Sequence, residues 1–381
     1  MTTTTNKNYY CSQKFWFLSV SPEKQYVSAC CSATHSKIDI NWLEKNPGQL
    51  FNAPILQADR KLMLDNQPVS SCNDVCWIPE NAGLPSRRTE MNSTTITHSN
   101  INSTPTVLNI ILNSDCNLTC SYCNKQYSTA WLSDIYNNGP YIENETRSTL
   151  TSMDRIIMKL SRPEINSTAR YQLLMSEILK YKDVGHILIS GGEPFLYNDL
   201  PALVNNYNGQ IDIFTGLGLA NSRLTRLLQS LPLDRITIII SAENIDQLYE
   251  FNRYGNSYST FLTNLQTIKI SGVRYKFNSV LSNLTIFGFA QFLETIENLE
   301  VDLNLCIDPL YLSVNVLDDI SKNTITNTNY GKFDEVIKAS MIAEPTHEQH
   351  TNLKQYINEF SKRRNLNLDI FPKHFINWIN E

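Results

Sequence analysis

Residues 107–124 read VLNIILNSDCNLTCSYCN, and residues 186–195 read HILISGGEPF. Each begins as a short run of aliphatic and β-branched residues and ends in a loop of turn-forming ones, the signature of a strand feeding a connection. Runs of the same kind recur at Gln210–Thr215, Arg235–Ser241, Tyr275–Val280 and Val301–Cys306. From 186 onward their starts lie roughly 25 to 40 residues apart, and helix-compatible stretches fill the gaps at Asp199–Asn206, Ser222–Gln229, Tyr258–Ser271 and Ile286–Leu299. Strand–helix alternation at this pitch predicts βαβ units and a parallel sheet. Six such units fit a partial barrel or a doubly wound sheet. The first gap, Asn113–Gly185, is longer and holds two helical stretches separated near Pro163.

The loop after the first run decides the chemistry. Cys116, Cys120 and Cys123 stand in a C-x3-C-x2-C spacing. Three thiolates on one short loop can hold three corners of a 4Fe–4S cube and leave the fourth iron open to a small molecule. The alternative is zinc, which wants a fourth ligand nearby to close its tetrahedron. No Cys or His follows within the next sixty residues. After the second run stands Gly191-Gly192-Glu193-Pro194. Paired glycines let a ligand approach the backbone, and proline fixes the turn.

The pair CxxxCxxC and GGEP resembles the radical S-adenosylmethionine (SAM) superfamily. The resemblance implies a (β/α)6 partial barrel over about 106–310, with Cys116, Cys120 and Cys123 on the cluster. It implies that Gly191, Gly192, Glu193 and Pro194 line the methionine moiety, and that Tyr122, beside the third cysteine, meets adenine. Ser241-Ala242-Glu243 and Arg253-Tyr254-Gly255 look like the family's S-x-D and R-x-G, which contact ribose and carboxylate; Glu243 stands where Asp is usual. Thr215-Gly216-Leu217-Gly218 falls where T-N-G is common. All these segments, with Asn278, fall at the C-terminal ends of expected strands, where α/β folds collect ligands.

Nine cysteines, odd in number and clustered, read as metal binding rather than a disulfide framework. Five lie before the barrel: Cys11, Cys30, Cys31, Cys72 and Cys76. Their order, followed by Trp77, Gly83, Ser86, Arg87 and Arg88, looks like the SPASM/twitch class, as does LFNAPILQADRKLMLDNQPVSSC (50–72). That resemblance implies an auxiliary 4Fe–4S cluster on four of the five, here placed before the barrel rather than after it. A structural Zn(Cys)4 site and unliganded thiols are the alternatives. The expected organisation is therefore a Cys-rich module at 1–91, a Ser/Thr/Asn-rich linker at 92–105, the barrel at 106–310, and a mixed extension at 311–381 with a helix at Glu348–Lys362.

Weaker candidates are Cys306, which could donate a hydrogen atom to a substrate radical; Lys276, which could meet substrate or SAM or be structural; Arg87 and Arg88, which could hold an anionic substrate but read first as a solvated surface pair; and His347 with His350, at i, i+3 on one helix face, which could bind metal. In 301–306, period 2 is expected to put Asp302, Asn304 and Cys306 on one face.

The 381 residues carry a net charge of −5 with no dominant Lys/Arg run, so the footprint of nucleic-acid binding is missing. The longest apolar runs, such as Ile236–Ile240, fall far short of the roughly 20 residues of a membrane helix. MTTTTNKNYY lacks the apolar core of a secretory signal. The expectation is a cytoplasmic enzyme, fed electrons by flavodoxin or ferredoxin, acting on a small molecule. A peptide maturase of the SPASM type, or a metal-binding scaffold without turnover, are the competing readings.

Overall fold

The computed structural model describes residues 8–81, 86–94, 100–142, 149–160, 162–166, 168–296 and 299–381. Gly83 and part of the expected linker, 95–99, lie outside them. In chain order the first elements are β1 (Phe17–Ser21), β2 (Tyr26–Ser28), β3 (Ser36–Lys37), α1 (Pro54–Leu64), β4 (Val107–Ile111), α2 (Thr129–Asn138), α3 (Ala169–Leu179) and β5 (His186–Ser190). There follow α4 (Leu200–Asn205), β6 (Gln210–Thr215), α5 (Asn221–Ser230), β7 (Ile236–Ser241), α6 (Asp246–Asn252) and α7 (Tyr258–Ser271). Further along come β8 (Arg274–Leu281), α8 (Phe289–Thr295), β9 (Val301–Leu305) and α9 (His347–Arg364), with other helices at Asp319–Thr326, Asp334–Ser340 and Lys373–Asn380. The six barrel strands fall within one residue of their expected bounds. The fold is α/β with parallel pairing dominant, as the alternation predicts.

Two compact units divide the chain. One holds residues 1–113, 160–191 and 199–212. Its strands run in the order β3-β2-β1-β4-β5. β1 pairs in parallel with β4, Phe17 opposite Val107, and β4 pairs in parallel with β5, Val107 opposite His186. β2 and β3 add an antiparallel margin. The strands before residue 90 were invisible to periodicity. All five residues of β1 are buried, so no alternation marks it.

The other unit holds 114–159, 192–198 and 213–381. There β7, β8 and β9 are parallel neighbours, Ile240 facing Phe277 and Phe277 facing Val301. Ile236, Ile238, Ile239 and Ile240 are all buried, as expected of a parallel strand covered on both faces. Ser257 caps α7, and the helix stops at Gly272, whose φ of 71° suits glycine. Thr346 and Gln349 form a capping box that starts α9, and Asn365 at φ 50° ends it. α9 thus runs two residues past its expected end at Lys362.

Among the described residues the long gap holds four helices rather than two: α2, α3, and short ones at Ser152–Lys159 and Arg162–Asn166. Pro163 sits at the second position of its helix, where its missing N–H costs nothing, so it opens a helix instead of merely separating two. No helix among the described residues is long and apolar enough to cross a membrane.

Candidate functional site

The thiol loop is anchored at nearly every residue. Thr119 N–H donates to the Tyr254 carbonyl and Ser121 N–H to that of Asn252, both at 2.9 Å. Ser128, the N-cap of α2, donates its hydroxyl to the Leu118 carbonyl at 2.6 Å, and the Trp131 indole donates to the Cys120 carbonyl at 3.0 Å. Asn117 Nδ2 reaches the Gly218 carbonyl at 2.6 Å. Leu118 is buried against Gly216, Gly218 and Gly255; a Cβ on Gly218 would come within 3.0 Å of its side chain. Gly255, at φ 105°, leaves room for the Asn117 carbonyl, which a Cβ would meet at 2.7 Å. The glycines of TGLG and RYG therefore seat the cysteine loop.

GGEP does the same from another side. A Cβ on Gly192 would stand 2.1 Å from the Asp115 carbonyl oxygen, so only glycine fits. Gly191, at φ 130°, would carry a Cβ 2.5 Å from the Asn113 carbonyl. Glu193 N–H donates to the Asp115 carbonyl at 2.6 Å. The Glu193 carboxylate is buried and accepts from Thr215 Oγ1 at 3.0 Å, Gly216 N at 2.9 Å and Phe195 N at 3.1 Å. Burial pushes its carboxyl up, against those bonds. Pro194 is buried at the head of a single 3-10 turn.

Four sequence-expected residues meet in one network. Arg253 and Glu243 form a bidentate pair, Nε–Oε2 at 3.0 Å and Nη2–Oε1 at 2.5 Å, with Glu243 wholly buried. Tyr122 donates its hydroxyl to Glu243 Oε1 at 2.7 Å, and Val280 N–H donates to the same oxygen at 3.2 Å. Arg253 lies 5.3 Å from the Tyr122 ring centre and donates from Nη1 to Cys120 Sγ at 3.6 Å. Although burial opposes it, the neighbouring Glu243 keeps the guanidinium firmly charged. Burial pushes the Cys116 and Cys120 thiols and the Tyr122 phenol up.

Further along the strands, Asn278 accepts from Asn304 Nδ2 at 2.8 Å, and Lys276 pairs with Asp302 at 2.8 Å. Ser241 is half-buried at the end of β7. Asp302 and Asn304 are exposed, but Cys306 is buried. β9 ends at Leu305, so the period-2 grouping does not extend to Cys306, whose N–H donates to the Leu281 carbonyl at 2.8 Å.

The N-terminal cysteines lie in the other unit. Cys11, Cys72 and Cys76 share a buried cluster with Met63, Val69 and Trp77. Cys30 is buried, and its thiol donates to Gln13 Oε1 at 3.6 Å; Cys31 is exposed and accepts from Gln13 Nε2 at 3.8 Å. The turn Cys11–Lys14 thus touches both cysteine groups, and Lys14 itself is buried on Asp59 at 2.6 Å and Ser71 at 3.2 Å. Arg88 is no solvated surface residue. It is buried, pairs with Glu80 through Nε at 3.0 Å, and lies 5.1 Å from the Trp77 ring centre.

Among the described residues, no three His, Cys, Asp or Glu side chains already stand in a metal-binding arrangement. The donor set still suits an iron–sulfur cluster. Three thiols share one fixed loop, and the cation of Arg253 lies beside one of them, placed to offset thiolate charge. Sequence reasoning missed the residues that hold that loop: Asn117, Leu118, Ser128, Trp131, and Tyr356 and Arg364 of α9. Trp131, three residues after the cap Ser128, carried a readable signal as the start of a helix. The residues of α9 carried none.

An α/β chain that seats three thiols on the loop after β4, and packs GGEP and an Arg–Glu pair against that loop, brings together the motifs on which its sequence resembles the radical SAM superfamily. The chain spans less than half the length of the curated relative it matches. It is 32% identical over 156 residues to a probable GTP 3′,8-cyclase of Methanococcus aeolicus, a match covering 39% of this chain and 41% of that relative's length. No family model matches. Among solved structures, anSMEcpe with bound AdoMet aligns over 68% of this chain and 61% of its own, at 15% identity and a TM-score of 0.36. Streptococcus suis SuiB aligns over 94% and 70%, at 14% identity and a TM-score of 0.34.

Proposed function

We propose that the chain is a radical SAM enzyme acting on a small molecule. The observation that carries this is the buried set Cys120–Arg253–Glu243–Tyr122 on the CxxxCxxC loop. When bound, a 4Fe–4S cluster with SAM would supply one-electron cleavage to a 5′-deoxyadenosyl radical that abstracts hydrogen from an unactivated C–H bond, the electron coming from flavodoxin or ferredoxin. Cys116, Cys120 and Cys123 would hold the cluster. Arg253 would stay charged beside it, and Tyr122 with Glu243 would fix the guanidinium. Gly191, Gly192, Glu193, Pro194, Thr215, Ser241 and Asn278 would line the SAM site, the glycines by leaving room at the backbone. The buried members of the set, Glu193, Pro194, Thr215, Glu243 and Arg253, would keep water from their side of the reacting centre. The activity named for the Methanococcus relative is on a nucleotide, which supports a small-molecule substrate here.

The N-terminal module would hold an auxiliary 4Fe–4S cluster on four of Cys11, Cys30, Cys31, Cys72 and Cys76. Cys30 is the better placed of its pair because it is buried. Cys306 would serve as a hydrogen-atom donor; an unchanged product from Cys306→Ala would end that role.

The test is iron, labile sulfide and zinc per chain after anaerobic reconstitution, followed by SAM cleavage under reduction. Two clusters predict roughly 8 iron. About 4 iron with one zinc would make the N-terminal site a zinc site. Zinc without iron, or a loaded protein that leaves SAM intact, would overturn the enzyme reading in favour of a scaffold. Modification of a peptide, with small molecules untouched, would overturn the substrate class.

A further inference from the structure

α9 lies outside the barrel strands in sequence, and no motif marks it, yet two of its side chains end on the thiol loop. Arg364 Nε donates to Thr119 Oγ1 at 3.0 Å. Tyr356 donates its hydroxyl to the Ser121 carbonyl in a short hydrogen bond. Thr119 and Ser121 are the two residues that flank Cys120.

Both side chains are themselves fixed. Arg364 lies 3.9 Å from the Phe360 ring centre, 4.9 Å from that of Trp131 and 5.4 Å from that of Tyr254. Its Nη1 donates to Tyr141 Oη at 2.5 Å and its Nη2 to Asp134 at 3.2 Å. Its side chain is 5% exposed. Tyr356 is buried, ring to ring with Tyr141, Tyr311 and Phe360. A buried guanidinium with aromatic faces around it and four acceptors, the Phe360 carbonyl at 3.4 Å being the fourth, is held in orientation, so it transmits the position of α9 to the loop. The segment Asn252–Tyr254 pairs with the same two loop residues through the backbone. The chain around Cys120 is therefore held from both directions.

We propose that α9 is a bracing wall of the thiol loop, with Arg364 and Tyr356 as positioning residues that hold the Cys120 backbone ready to receive the cluster. This rests on the cluster reading given above. Arg363 supplies the control. It shares the helix, the Tyr141 ring at 4.0 Å and a long contact with Asp134 at 3.7 Å, and bonds the carbonyls of Gly139 and Pro140, but it makes no bond to the cysteine loop.

The experiment compares Arg364→Lys, Tyr356→Phe and Arg363→Gln in the full chain. The first readout is loss of the reconstituted cluster to an iron chelator. Arg364→Lys and Tyr356→Phe are expected to lose it about tenfold faster than wild type and to show an altered spectrum for the reduced cluster. Arg363→Gln is expected to behave as wild type. The second readout is amide hydrogen exchange of residues 117–123 in cluster-free protein. It is expected to rise about tenfold in the first two variants and not in the third. Unchanged exchange in Tyr356→Phe and Arg364→Lys would overturn the proposal, as would equal effects in all three. If wild type takes up no iron, the cluster reading fails, and exchange still decides whether α9 braces the loop.

Discussion

Replacing Glu243 by Gln keeps the shape of the side chain and removes its charge. In the native chain that carboxylate accepts four bonds, two from Arg253 and one each from Tyr122 and Val280. Glutamine presents one accepting oxygen and an NH2 that would face the Arg253 Nε–H, donor against donor. Arg253 has 6% of its side chain exposed and Glu243 1%, so water cannot substitute. Breaking a buried pair from one side costs about 3–5 kcal/mol, because the remaining charge is left uncompensated. For a unit of this size each kcal/mol moves the midpoint about 2–4 °C, so the expected fall in Tm is about 6–20 °C. The assay is urea and thermal unfolding of cluster-free protein, followed by tyrosine and tryptophan signals. Adding Arg253→Gln removes the stranded charge, and the double variant is expected to be less destabilised than the two single costs added together. A Glu243→Gln variant within about 1 kcal/mol of wild type would refute the reasoning, since that is no more than one ordinary hydrogen bond.

Two further outcomes follow from the same geometry. Gly192→Ala must move backbone at Asp115 and loses the Glu193 N–H bond, so destabilisation of about 2–4 kcal/mol is expected in urea titrations; Gly272→Ala, with open space around its Cβ, meets no such contact, carries only the strain of its positive φ and is expected to cost less. Asp154 forms a buried pair with Lys125 at 2.6 Å. Burial alone would raise its carboxyl, but the bonds from Lys125 and Thr151 prevail and hold it below the ordinary 3.8. A lowered acid contributes stability above its unfolded-state value and loses it as pH falls through the folded-state value. Asp154→Asn should therefore be less stable than wild type by about 3 kcal/mol at pH 7, with the gap narrowing below pH 3.8 in acid titrations. A gap independent of pH would show that the charge is not what Asp154 contributes.

The strands of the barrel were legible because each is a short run of β-branched residues between turn formers, and that pattern is local. The three cysteines and GGEP were legible for the same reason: a loop must carry its donors, and a close backbone approach its glycines, at fixed spacing along the chain. The sequence by itself also set the spacing of Cys116, Cys120 and Cys123. It did not show why Gly216, Gly218 and Gly255 are glycines. All three surround Leu118, and packing between segments a hundred residues apart leaves no periodic trace. β1 escaped notice because a strand buried on both faces has no alternation. Arg363 and Arg364, at the end of FSKRR (360–364), look like a solvated basic terminus, since charge and helix position alone favour water. Only the tertiary structure puts Arg364 among Trp131, Tyr141, Tyr254 and Phe360, and only desolvation there turns a surface-like residue into one that holds the thiol loop.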